Sequence, residues 1–126
     1  MIGSTFKIEA VKSMKTLRKE ISEFVKERDW DKYHSPKNLA MGLSIEASEL
    51  LEIFLWLTEE ESKKLNDHQL TNLKEEIGDI MIYLTNLADR FNLDPVKCAK
   101  EKIKHNKNKY PANIVKGSAK KYIEYE

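Results

Sequence analysis

Two pairs of carboxylates stand in or beside the apolar stripes of two helical stretches. In the stretch from Leu39 to Leu57, LAMGLSIEASELLEIFLWL, apolar residues recur at the helical period. At about 100° per residue, Leu39, Leu43, Leu50, Ile53 and Leu57 gather on one face, and Glu46 falls inside their stripe. Glu49 lies about 60° to one side and roughly one turn further on, whereas Glu52 points away. A second stretch, LKEEIGDIMIYLTNLADRF, places Leu73, Ile80, Leu84, Leu87 and Phe91 on one stripe, flanked by Glu76, Asp79 and Tyr83. Glu75 points outward. An ionised carboxylate buried without a partner is costly, so such residues require a cation, a proton or strong donors. If the two helices pack together, Glu46, Glu49, Glu76 and Asp79 converge. An all-oxygen ligand set of this kind suits a hard divalent cation, Mg²⁺ first and Mn²⁺ next.

The elements that must hold these acids are read from the rest of the chain. Its 126 residues suffice for one compact domain, and hairpins or all-β folds are disfavoured by only 4 Gly and 3 Pro. The net charge of +1 gives no bias toward nucleic acid or membrane. No stretch has the length and apolarity of a membrane span, and the start, MIGSTFKIEA, lacks a signal core. The single Cys98 excludes an internal disulfide and fits a reducing compartment, so a cytoplasmic location is expected.

Phe6, Ala10, Met14, Leu17, Ile21 and Phe24 predict a first helix over about 4–28, with Ser4 or Thr5 as its N-cap. The segment DWDKYHSPKN then reads as a loop carrying Trp30, Tyr33 and His34, and Ser35–Pro36 starts the second helix. Placed on that helix, Trp56 falls about 80° from Glu46, on the side of Glu49. The third helix is predicted from near Asp67 to near Asn92. Asp94–Pro95 opens a fourth, strongly basic helix, with Asn106 on its apolar stripe, Lys102 one turn earlier, and Pro111 as its stop. The expectation is an all-α, four-helix bundle-like domain over 1–111. The tail 112–126 has no sustained period and could form a strand, a short helix or an arm.

Two bundle-core chemistries compete for such a site. Di-iron bundles use Glu-x-x-His motifs, and this chain has none; its His34, His68 and His105 are all expected outside the two acidic helices. An all-oxygen site favours Mg²⁺ acting on phosphate instead. A non-enzymatic helical interaction module with a structural cation is the other reading.

The ordered set Glu46-Ala47-Ser48-Glu49, Glu76-Ile77-Gly78-Asp79, ERDWDKYHSPKNL, FLW, IYL and Lys102-x-x-x-Asn106 leading to Tyr110–Pro111 resembles the all-α, MazG-like nucleoside triphosphate pyrophosphohydrolases. The likeness spans roughly 24–111 and is nearest to the dCTP pyrophosphatase branch. It implies that Glu46, Glu49, Glu76 and Asp79 bind Mg²⁺, and that Trp30, Trp56 and Tyr83 contact the nucleotide. It also implies that Lys102 and Asn106 lie near the base or phosphates. The implied reaction is hydrolysis of (d)NTP to (d)NMP and pyrophosphate, on dCTP or related and modified deoxynucleotides, for pool sanitation by a homodimer or homotetramer. Glu49 is the candidate general base. Two positions depart from relatives: Ile21 stands where dCTP-type members carry a His, which leaves base selectivity unassigned, and Ile45 stands where some carry a further Glu.

Overall fold

The computed structural model describes residues 2–119, with side chains from 14 onward. Six helices follow in order: α1 (Ile2–Glu27), α2 (Pro36–Phe54), α3 (Glu59–Ser62), α4 (Asp67–Arg90), α5 (Pro95–Lys109) and α6 (Ala112–Val115), with a 3-10 turn at Asp31–Tyr33 between the first two. No strand occurs among the described residues. The chain forms two compact units, Met1–Asn92 and Leu93–Glu126. The first holds α1 to α4, the second α5 and α6.

Local chemistry sets most helix starts. Ser35 Oγ accepts the Asn38 N–H at 3.2 Å, and Pro36 occupies the first helical position of α2. Reciprocal capping boxes open α3 (Thr58 with Glu61) and α4 (Asn66 with Gln69). Asp94 accepts from the Val96 and Lys97 N–H groups, with Pro95 again at the first position of α5. The end of α1 is set by the backbone. Asp29 adopts φ 53°, the Asp29 N–H donates to Lys26 O and the Trp30 N–H donates to Val25 O, each at 3.1 Å. These are the two bonds of a Schellman motif. The direction in which Trp30 leaves the helix is therefore fixed by backbone bonds, and its ring sits edge-on to Phe24 at 5.6 Å.

Three boundaries differ from expectation. Helix α1 begins at Ile2, so Ser4 and Thr5 lie within it and do not cap it. Helix α2 stops at Phe54, and the Thr58 capping box starts a separate short helix four residues later. Trp56 is thus off the helix, its inferred angle to Glu46 does not apply, and it is 88% exposed. Phe91 is the C-cap of α4 and 60% exposed, so it does not extend the buried stripe. Contrary to the expectation for the histidines, His68 lies on an acidic helix, in the first turn of α4, because the Asn66 capping box starts that helix at Asp67.

Within the first unit α4 packs chiefly on α2 and to a lesser degree on α1. The α2–α4 approach is close at Gly42: a Cβ there would stand 2.7 Å from Tyr83 Cζ and 2.9 Å from Cδ1, so the ring lies against bare backbone. The buried apolar residues among those described are Ile21, Val25 and Leu39, joined by the polar Thr85. The stripe of α4 is divided. Leu73, Ile80 and Leu87 are half-buried, whereas Leu70, Ile77, Leu84 and Phe91, each seven residues from the next, are 42, 49, 37 and 60% exposed. That is a heptad pattern with one of its two apolar positions left uncovered. Among the described residues no helix is long and apolar enough to cross a membrane.

Candidate metal centre

Two consecutive long helices supply the acids: Glu46 and Glu49 lie one turn apart on α2, Glu76 and Asp79 one turn apart on α4. Packing of α2 on α4 brings one carboxylate oxygen each of Glu46, Glu49 and Glu76 within 4.8 Å of one another. Asp79 is outside that trio yet close enough for its charge to act on both Glu46 and Glu76. Glu46 and Glu76 are half-buried, and the Oε2 atom of each is buried with no hydrogen-bond partner. Buried polar atoms without partners are uncommon in folded proteins. Two of them facing a third carboxylate form a donor set that matches a divalent cation and offers nothing to a soft metal.

The electrostatics agree with the geometry. Burial, then the close Glu76 and Glu49 carboxyls, then repulsion from Glu49 and Asp79 push Glu46 up to about 7 from an ordinary 4.5. Glu76 is raised as well, first by burial, then by the charges of Glu49 and Asp79, while its contact with Glu46 works the other way. Glu46 and Glu76 therefore keep their protons more readily than ordinary carboxyls, and a bound cation would favour their release.

The remaining expected residues fall in different places. Tyr83 is half-buried, one turn beyond Asp79 on α4, with its ring on Gly42. Trp30 is 43% exposed at the end of α1, and Trp56 projects from the segment after α2. Lys102, exposed, and Asn106, half-buried, belong to α5 in the second unit.

A cavity of about 310 Å³ escaped the sequence reading. It opens between α1 and α4, with Ile21 and Val25 on one wall and Thr85 and Asn86 on the other, and Arg18, Asp31, Asp89 and Arg90 also line it. Arg18 pairs with Asp89, and Arg90 Nη2 donates to Asp31 Oδ1 at 2.6 Å. The signal was present as two consecutive polar residues, Thr85-Asn86, inside the apolar run IYLTNLA.

Comparison with known proteins adds a consistent picture. A profile of the MazG-like family matches residues 42–124. Human dCTP pyrophosphatase 1 is 35% identical over 114 residues, which cover 89% of this chain and 67% of that protein. The bovine protein of the same name is 35% identical over 121 residues, covering 94% and 72%. The crystal structure of a pyrophosphatase from Archaeoglobus fulgidus DSM 4304 superposes with a TM-score of 0.74 at 41% identity, over 79% of this chain and 93% of that one.

Proposed function

Because the chain belongs to the MazG-like family, we propose that it is a nucleoside triphosphate pyrophosphohydrolase, converting (d)NTP and water to (d)NMP and pyrophosphate. Deoxynucleotides, with dCTP and its modified forms foremost, are the substrate class, and pool sanitation in the cytoplasm is the role. Free nucleotide is the ligand, with no part for nucleic acid or membrane. The observation that supports this best is the trio Glu46, Glu49 and Glu76, two of them with buried oxygens that lack partners.

Glu46, Glu49, Glu76 and Asp79 are the residues that would hold Mg²⁺, with Mn²⁺ as its substitute. Bound there, the ion supplies charge neutralisation for the phosphates and acidity for water. The chain's own contribution is position. Helices α2 and α4 present the acids from rigid elements, so the triphosphate is held where its α-phosphorus can be attacked in line. Glu49 is assigned as the base that takes the proton of the attacking water. Trp30, Trp56 and Tyr83 contact the nucleotide, and Lys102 and Asn106 are assigned to its base or phosphates.

The uncovered heptad positions of α4, Leu70, Ile77, Leu84 and Phe91, support assembly into a homodimer or homotetramer through helix faces. The deciding experiment incubates the protein with each dNTP and Mg²⁺ and identifies the products. Pyrophosphate and dNMP in equal amounts are expected. Inorganic phosphate alone, or no turnover with any nucleotide, would sink the proposal and favour the cation-binding interaction module.

A further inference from the structure

We propose that Thr85 and Asn86 read the edge of the substrate's base, and that they select a base carrying an exocyclic amino group beside a ring-nitrogen acceptor, as in cytosine. This rests on the nucleotide reading above and adds the selectivity it lacks. Thr85 and Asn86 face the α1–α4 cavity, whose volume of about 310 Å³ is at the small end of ligand sites. Asn86 follows Asp79 by seven residues on one helix. That puts it on nearly the same face, about 10 Å along the axis, with Tyr83 between them. A nucleotide whose phosphates meet the acids can therefore lay its nucleoside along α4.

The cavity's polarity decides what it accepts. Its charged residues are largely engaged with one another, Arg18 with Asp89 and Arg90 with Asp31; Lys26 is solvent-exposed. Ile21 and Val25 give an apolar wall. The free capacity lies with neutral groups. Thr85 is 1% exposed, and its Oγ1 has no hydrogen-bond partner. A hydroxyl in that state is costly, and a ligand atom that accepts its proton relieves the cost. The Asn86 Nδ2 group lies 3.4 Å from His34 Nδ1. With the amide nitrogen engaged there, Oδ1 remains as an acceptor. One donor beside one acceptor complements an amino group next to a ring nitrogen and opposes a keto base, whose ring N–H and carbonyl present the reverse pattern.

The test measures kcat/KM for dCTP and dUTP in the wild type, Asn86→Leu and the near-isosteric Thr85→Val, alongside calorimetric binding of dCMP and dUMP without metal. The wild type should prefer the amino base in both assays. Each variant should reduce that preference about tenfold or more, the size of one edge-reading contact, with the loss falling on the amino base. Thermal melts establish that the variants are folded, and Thr85→Val carries the test if Asn86→Leu is not. Equal losses for both bases, or a wild type that does not prefer the amino base, overturn the assignment while leaving hydrolysis standing. A wild type without pyrophosphate release that still prefers dCMP through these two residues sustains the base site and overturns the hydrolytic reading.

Discussion

A carboxyl that titrates near neutrality on a helix face makes the protein's stability depend on pH and on cations together. Glu46 holds its proton up to about 7 in the folded chain, against 4.5 ordinarily. The folded state therefore binds more protons than the unfolded state between those values. Its stabilising contribution is complete below about pH 4.5 and is lost as pH rises through about 7. Metal-free wild type should melt progressively lower across that window, relative to Glu46→Gln, when both are followed by circular dichroism. At pH 8 without metal, Glu46→Gln should be the more stable of the two, because one member of a like-charged group is gone, and it should release no pyrophosphate. Millimolar Mg²⁺ should raise the wild-type melting temperature at pH 8 and move that of Glu46→Gln far less. The acids were legible in the sequence because a charge inside an apolar stripe is a local anomaly. Thr85 was not, since its burial depends on α1 covering it, and no spacing along α4 reports what another helix does.

Helix starts were legible where a side chain creates them. Ser35–Pro36 and Asp94–Pro95 were read directly. The ends were harder, and α2 shows why: Leu55, Trp56 and Leu57 continue its apolar character, although the helix ends at Phe54 and its last i,i+4 bond is the Leu55 N–H to Leu51 O. The Thr58-x-x-Glu61 box was the available cue that a new helix was opening. The pairing of α2 with α4, the chief packing contact of the first unit, can be probed at single residues. Leu39→Ala at a 1% exposed site should cost about 2–5 kcal/mol in urea unfolding. Gly42→Ala should also destabilise, by about 1–3 kcal/mol, even though alanine is the better helix former. Its methyl would need the space the Tyr83 ring occupies. The same variant should weaken nucleotide turnover, because the displaced ring lies between the acids and the α1–α4 cavity along α4.

For the whole molecule, the apolar surface is the conspicuous quantity. Leu70, Ile77, Leu84 and Phe91 remain open along α4 and its C-cap, whereas Leu73, Ile80 and Leu87 are half-buried. Sequence periodicity finds such residues but cannot say whether the same chain or another copy covers them. Light scattering should report a multiple of 14.7 kDa, and Ile77→Glu, which places a charge in the middle of that row, should shift the mass toward a single chain. The chain also has only two tryptophans, Trp30 at 43% and Trp56 at 88% exposure. Their surroundings differ enough for each indole to carry its own emission signature. With Trp30→Phe and Trp56→Phe as references, the proposed contact of both indoles with the nucleotide should let fluorescence follow its arrival in real time, without a label and without waiting for a bond to break.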